Sequence, residues 1–264
     1  MGRRGIRALA VAVAAVALLV VAGNALAVRA VTKIHLQAGN IIVDGEGGFT
    51  PTALPKNKYA PITIFGSGKI STAEKGTFPP VLQHIEFEFD KHGAVDTLGL
   101  PICTPAKLQA TTVSQARKLC PGAIVGKGFG HAVVVFPEQG PIPASSPFTI
   151  FNGARKDGDP TILVHAYLTV PAPTTFIVPI RIEKIHNGRY GYRVNAEIPK
   201  IAGGSGIPLS GSVTIGRKWT YKGKKHSYLN ASCPDGRLQA IGQFSFKDGT
   251  RLKGSFVTPC QTLG

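Results

Sequence analysis

The chain has 264 residues and a formal net charge of +16, with 30 lysines and arginines against 14 aspartates and glutamates. Its 32 glycines and 20 prolines exclude a fold built from long helices and predict many short strands joined by turns. No segment after residue 27 approaches about 18 consecutive apolar residues, which excludes a membrane-spanning helix there. The excess of positive charge favours association with polyanions.

The first 27 residues have the pattern of an export signal. A basic start containing three arginines precedes an apolar run from Ala8 to Ala22, and the small-residue motif Ala25-Leu26-Ala27 follows. This pattern predicts a signal peptide over residues 1–27 and a mature chain that begins at Val28. A retained anchor is the alternative, but this apolar run rises only about 22 Å as a helix, short of the roughly 30 Å hydrocarbon core.

Residues 28–58 are predicted to be a poorly ordered lead-in, because Asp44-Gly45-Glu46-Gly47-Gly48 lies at their centre. A single all-β domain is predicted over residues 59–264.

Leu82–Asp90 is the clearest strand, because Ile85, Phe87 and Phe89 alternate with charged and polar residues. The other predicted strands are short and separated by turn residues, which favours an antiparallel β-sandwich, with a β-barrel as the alternative. They are Ile62–Ser71, Ile124–Phe136, Phe148–Asn152, Thr161–Val170, Thr175–Ile185, Tyr190–Ile198, Leu209–Tyr221, His226–Cys233, Leu238–Phe246 and Arg251–Val257.

Two local features can be predicted in more detail. Thr112 precedes Gln115 by three residues at the start of a short helix that ends at Cys120, a spacing typical of a capping box. A three-residue loop over 247–249 is predicted between the last two strands, because it sets Phe244 opposite Leu252 and keeps the apolar faces together.

The four cysteines predict two disulfides, because an even number of cysteines in an exported chain is typical of disulfide bonding. Proximity in the sequence favours the pairs Cys103–Cys120 and Cys233–Cys260. No cysteine or histidine spacing typical of a zinc site is present.

Together with the four cysteines, three stretches of the sequence carry a resemblance. They run from Gly99 to Leu108, from Ala123 to Gly128 and from Ser227 to Pro234. They resemble a group of uncharacterised exported proteins from actinobacteria. The resemblance implies export and a β-rich domain, and it supplies no activity, cofactor or catalytic residue.

No motif predicts a catalytic residue, a metal site or a cofactor. Glu86 and Glu88 share one strand face and are interpreted as a solvated surface, although a carboxylate pair is what a glycosidase uses. Asp157 and Asp159 are interpreted as a turn rather than a Ca²⁺ site, which needs six to eight oxygen ligands. His165 stands between apolar residues and is interpreted as a buried core histidine.

A basic segment near residue 220 holds the only tryptophan among several cations. Aromatic rings beside cations suit stacking on sugars or bases, with the cations on anionic groups. The favoured interpretation of this segment alone is that Trp219 and Tyr221 cover the core while the lysines keep a hairpin tip soluble, and polyanion binding is the alternative. The predicted polyanion-binding residues are Arg217, Lys218, Trp219, Tyr221, Lys222, Lys224 and Lys225.

These observations predict an exported, non-enzymatic protein that associates with anionic cell-envelope polymers or surfaces. The expected partner is an acidic cell-wall polymer or an anionic membrane surface, and no specific nucleic acid is expected. The expected location is secreted or extracytoplasmic and associated with the cell wall. A secreted hydrolase and a β-barrel carrier of an apolar ligand are the two alternative functions.

Overall fold

The computed structural model describes residues 30–264, and the signal peptide predicted over residues 1–27 lies outside them. In the described part the chain forms 18 strands and two short α-helices, α1 (Pro105–Leu108) and α2 (Val113–Leu119). The strands of the first half are β1 (Ala30–Ala38), β2 (Ile41–Thr50), β3 (Ala53–Pro55), β4 (Ala60–Thr72), β5 (Leu82–Asp90), β6 (Gly93–Val95), β7 (Ile124–Val134) and β8 (Ile142–Asn152). The strands of the second half are β9 (Thr161–Leu168), β10 (Thr174–Asn187), β11 (Tyr190–Glu197), β12 (Gly206–Ile215), β13 (Lys218–Tyr221), β14 (Lys224–Ser227), β15 (Leu229–Ala231), β16 (Arg237–Phe246), β17 (Arg251–Pro259) and β18 (Gln261–Leu263).

The main sheet follows one path of antiparallel neighbours. Its order is β1-β2-β4-β12-β7-β8-β9-β10-β11-β5-β16-β17. The two ends of this path meet, because the Thr32 hydroxyl of β1 donates to the backbone oxygen of Val257 on β17 at 3.0 Å. The all-β prediction is therefore confirmed, and the nearly closed sheet also fits the barrel alternative.

The pattern that predicted β5 explains how the sheet packs. Phe87 points to the inside, where its ring centroid lies 5.9 Å from Phe89, 6.0 Å from Phe244 and 6.1 Å from Phe256. Phe244 of β16 lies opposite Leu252 of β17, as the predicted three-residue loop requires. The cross-strand register thus keeps the apolar side chains on one face.

The predicted lead-in over 28–58 is wrong where the structure describes it. β1 pairs with β2 along its full length, and β2 also pairs with β4. The glycines that suggested a loop are needed for packing, because a Cβ at Gly45 would lie 3.0 Å from the Ile34 side chain and 3.3 Å from the Phe256 ring. The domain boundary at residue 59 therefore falls inside the sheet.

The two helices cover the outside of β8 and β9. Ala116 of α2 and Leu108 of α1 are buried in one cluster with Phe151 and Leu163. The predicted capping box is present, since the Thr112 hydroxyl accepts from the Gln115 backbone and the Gln115 side chain accepts from the Thr112 backbone. α1 was not predicted, because Pro105–Leu108 is too short to show a periodic pattern.

Both predicted disulfides are confirmed. Cys103 is bonded to Cys120, with an S–S distance of 2.01 Å and Cα atoms 5.8 Å apart. Cys233 is bonded to Cys260, with an S–S distance of 2.04 Å. The first bond anchors the end of α2, and the second joins the segment before β16 to the segment after β17.

Two predicted strands, Leu209–Tyr221 and His226–Cys233, are each interrupted. β12 ends at Ile215, and the backbone then passes close to Thr63, whose Oγ1 would lie 2.5 Å from a Cβ at Gly216. β13 and β14 form a separate two-stranded hairpin. The chain returns to the sheet at Tyr228, which is almost fully buried, and β15 then pairs with β4 and β6.

Candidate binding surface

The predicted basic segment forms a tight hairpin, which we call the basic hairpin (residues 217–227). β13 and β14 pair so that Trp219 lies opposite His226 and Tyr221 lies opposite Lys224. Lys222 and Gly223 form the two-residue turn with φ angles of 48° and 74°. Positive φ at both turn positions matches the twist of a β-hairpin, and glycine adopts it without steric cost.

The basic hairpin has an exposed cationic side and a half-buried aromatic side. Lys218 and Thr220 are exposed, whereas Trp219 and Tyr221 are half-buried between them. The tip and the returning strand add three more exposed lysines, which are Lys222, Lys224 and Lys225. The alternation of side chains along a strand therefore separates the aromatic side from the cationic side.

Trp219 is engaged within the protein on its edge and on its face. Its indole N–H donates to the backbone oxygen of Leu98 at 3.0 Å. Its ring stacks on His226, with centroids 5.5 Å apart and planes 19° apart, and it packs against the core beneath the hairpin. These contacts favour a structural role for Trp219 over stacking on a ligand.

Arg217 and Tyr221 attach the hairpin to its neighbours. The Arg217 guanidinium donates to the backbone oxygens of Pro121 at 3.2 Å and Ile124 at 2.8 Å. The Tyr221 ring lies so close to Gly99 that a Cβ there would be 2.2 Å from the ring. Of the predicted site residues, the structure therefore leaves the four lysines as the cations available to a partner.

The residue pair His226 and Asp96 joins the hairpin to the loop after β6. His226 Nδ1 lies 2.7 Å from Asp96 Oδ2. The other carboxylate oxygen, Asp96 Oδ1, accepts from the Leu98 backbone N–H at 2.8 Å. One acidic side chain thus fixes both the hairpin and the loop that carries Leu98.

Three exposed apolar residues that the sequence analysis did not single out lie in segments attached to the hairpin. Leu98 is 60% exposed, and Ile102 and Leu119 are each 53% exposed. Ile102 directly precedes Cys103 and Leu119 directly precedes Cys120, so the disulfide links the two segments that carry these residues. The sequence contains a partial signal, because Leu119 falls off the apolar helix face that the spacing of Val113, Ala116 and Cys120 indicates.

Glu86 and Glu88 do not form a free carboxylate pair. Glu88 is only 8% exposed, because Arg193 Nη2 lies 2.6 Å from its Oε1 and the Asn187 amide donates to its Oε2 at 3.1 Å. The hydrogen bond to Glu88 raises the pKa of Arg193. The interpretation of both acids as a solvated face is therefore wrong for Glu88.

The predicted turn at Asp157–Asp159 is confirmed, and Arg181 binds both carboxylates. Its Nη1 lies 3.1 Å from Asp157 Oδ2, and its Nη2 lies 2.6 Å from Asp159 Oδ2. These oxygens are therefore occupied by a guanidinium. Across residues 30–264, no group of three or more His, Cys, Asp or Glu side chains could hold a metal ion.

His165 is buried, as predicted. Its Nε2 lies 3.0 Å from the Thr111 hydroxyl, beneath the segment that joins α1 to α2. Burial lowers the pKa of this imidazole, which favours its neutral form. His165 therefore serves as a core residue under the helices.

Comparison of the chain with protein-family models, curated proteins and solved structures gives no match. None of the helices within residues 30–264 has the length and apolar character needed to cross a membrane. The fold and the surface together define an all-β protein with two disulfides and a projecting basic hairpin. The hydrolase and carrier alternatives stay predictions.

Proposed function

We propose that this chain is an exported, non-enzymatic protein that associates with anionic cell-envelope polymers or surfaces through the basic hairpin. The observation that carries the proposal is the state of the hairpin lysines. Lys218, Lys222, Lys224 and Lys225 are all exposed, and none of them forms an ion pair with any residue the structure describes. Unpaired cations grouped on a rigid hairpin suit a polyanion.

The arginines of the sheet contrast with these lysines. Arg189 binds Asp90 and Asp235, and its Nη2 also donates to the Arg237 backbone oxygen at 2.7 Å. Arg181 and Arg193 bind acids in the same manner. The carboxylates bound to these arginines are therefore neutralised by them. None of these carboxylates pairs with a lysine of the basic hairpin, so they do not cancel the positive charge of the hairpin.

The proposed location follows from the two disulfides and from the N-terminal pattern. Disulfides form and persist in oxidising compartments outside the cytoplasm. The signal pattern over residues 1–27 and the resemblance to exported actinobacterial proteins support the same placement. We therefore place the protein outside the cytoplasm, where acidic envelope polymers and anionic lipid surfaces are the available polyanions.

The proposal is tested by measuring retention on immobilised polygalacturonate, an acidic polysaccharide, as salt is raised. Raising the ionic strength from about 0.1 M to about 1 M shortens the screening length from about 10 Å to about 3 Å, so binding should weaken steeply. The variant Lys222→Gln, Lys224→Gln, Lys225→Gln should elute at much lower salt and keep the wild-type melting temperature, because these side chains contribute nothing to the core.

A matched control removes the same charge elsewhere. Lys69→Gln, Lys247→Gln and Lys253→Gln together alter three exposed lysines on β4 and on the β16–β17 hairpin. This control should elute close to the wild type. Equal elution of all three proteins would refute the proposal, because the charge of the hairpin would then have no specific effect.

A further inference from the structure

We propose that the basic hairpin and the exposed side chains of Leu98, Ile102 and Leu119 form one surface that docks on a lipid bilayer containing anionic lipid. The inference rests on the proposed function and assigns it a class of partner. The lysines would contact the headgroups, and the three apolar side chains would enter the boundary between headgroups and acyl chains.

The apolar residues and the hairpin are held together by direct contacts. The Leu98 loop is bound through the Trp219 indole and packs on Tyr221 at Gly99. The segment after Leu119 is bound through Arg217, which donates to the Pro121 backbone oxygen. Both apolar segments are thus attached to one hairpin, which keeps them next to it.

The apolar segments are also attached to each other. Ile102 and Leu119 flank the disulfide between Cys103 and Cys120. A Cβ at Gly122 would lie 3.1 Å from the Pro101 side chain, so the two segments remain in contact beyond the disulfide. Because this arrangement is rigid before binding, little conformational entropy is lost when the surface docks.

The charge around the apolar residues matches an anionic bilayer. Residues 97–137, which include all three apolar residues, contain no aspartate or glutamate. Residues 198–234, which include the whole hairpin, also contain none. Asp96, which lies at the edge of the first segment, is bound to His226 and to the Leu98 backbone. The two helices add further exposed cations at Lys107, Arg117 and Lys118, of which Arg117 also donates through Nε to the Thr149 hydroxyl at 2.8 Å.

The apolar residues favour a bilayer over an acidic polymer. An acidic polysaccharide offers charges and hydroxyl groups, but it has no apolar interior that could take exposed leucine and isoleucine side chains out of water. A bilayer offers both, and transfer of apolar surface from water into it is favourable. Large apolar side chains ringed by cations are what such an interface requires.

The test compares binding to two probes, which are immobilised polygalacturonate and vesicles of phosphatidylcholine and phosphatidylglycerol in equal parts. The variant Leu98→Ser, Ile102→Ser, Leu119→Ser should lose at least about tenfold in vesicle partitioning, because the apolar contribution is removed. Its retention on the polysaccharide should not change. The lysine variant described above should lose binding to both probes, by about fivefold per lysine on vesicles.

The control variant is Val31→Ser, Val257→Ser, Leu263→Ser, which alters exposed apolar residues outside the surface. It should partition like the wild type. Vesicle binding that survives in the Leu98, Ile102, Leu119 variant overturns the docking inference and leaves the proposed function standing. If the lysine variant binds both probes as strongly as the wild type does, the proposed function itself is overturned.

A second measurement uses the wild-type protein alone, so it does not depend on the folding of a variant. Trp219 is the only tryptophan of the chain and is bound to the Leu98 loop, so its fluorescence reports this surface alone. Lipids brominated near the headgroup end of the acyl chains should quench Trp219 when the wild-type protein is bound. Bound protein with unquenched fluorescence would place the surface away from the bilayer and overturn the inference.

Discussion

Trp219 and Leu98 are joined by a hydrogen bond between residues 121 positions apart in the sequence, with the indole N–H donating to the backbone oxygen at 3.0 Å. The contact holds an exposed loop against a projecting hairpin. It depends on the tryptophan in two separable ways, because the N–H supplies the hydrogen bond and the ring fills the space against His226.

Two substitutions of Trp219 should therefore lower the free energy of unfolding by different amounts. Trp219→Phe keeps most of the ring and loses the hydrogen bond, which should lower the free energy of unfolding by about 1 kcal/mol. Trp219→Ala also removes the packing and should cost about 3 kcal/mol, at the low end for a large side chain because this one is half-buried. Urea denaturation measures both values, with exposed Thr220→Ala as the control. Unchanged stability of Trp219→Ala would show that the ring does not support the fold.

Removal of either disulfide should lower stability by a similar amount, although only one of the two bonds lies at the docking surface. Cys103→Ala with Cys120→Ala, and Cys233→Ala with Cys260→Ala, should each cost about 3–4 kcal/mol because loops of 17 and 27 residues are opened. Only the first pair should weaken vesicle partitioning, since its removal unlinks the segments that carry Ile102 and Leu119. Equal binding losses in both double variants would argue for a general effect of unfolding.

The stability of the protein should depend on pH through His165. Burial lowers its pKa in the folded protein, so below the ordinary histidine pKa of about 6.5 the unfolded chain binds a proton that the folded chain does not. Stability should therefore fall as the pH drops from about 6.5 toward the lowered folded-state pKa. His165→Gln should make this dependence shallower, and His84→Gln, at an exposed site, should leave it unchanged. Urea denaturation at a series of pH values gives the slopes, and identical slopes in all three proteins would contradict the assignment.

Export should remove residues 1–27. Secreted protein is expected to begin at Val28, because Ala25-Leu26-Ala27 is the small-residue motif that precedes cleavage. Sequencing of the N-terminus of the secreted material measures this directly. A membrane-bound product that retains Met1 would favour the anchor alternative.

The elements that the sequence predicts well are those whose signal is local. β5 is predicted with its observed boundaries because apolar and polar residues alternate throughout it, and α2 is predicted from the Thr112 and Gln115 pair. β2 is missed because its inward positions include Gly45 and Gly47, which give no apolar signal. Their packing partner, Phe256, lies more than 200 residues away in the chain.

The same distinction applies to the binding surface. The lysines and the turn of the basic hairpin are neighbours in the sequence, so local alternation is sufficient to predict them. The segments that carry Leu98, Ile102 and Leu119 are linked only through a disulfide and through contacts with the hairpin. The sequence predicts that bond, but it contains no signal that sets Leu98 beside the basic hairpin.

The boundary between β1 and β17, where the Thr32 hydroxyl contacts the Val257 backbone, is mechanically the weakest along the main path of the sheet. Every other strand boundary along the main path is held by a backbone ladder, whereas β1 and β17, the described ends of the path, are joined by hydrogen bonds of the Thr32 hydroxyl to the Val257 backbone oxygen and the Thr258 hydroxyl. A force that pulls the main sheet open would therefore separate β1 from β17 first, while the backbone ladders between the other strands stay intact. Among the backbone amides of the main sheet, those of β1 and β17 at this boundary should be the first to exchange with solvent.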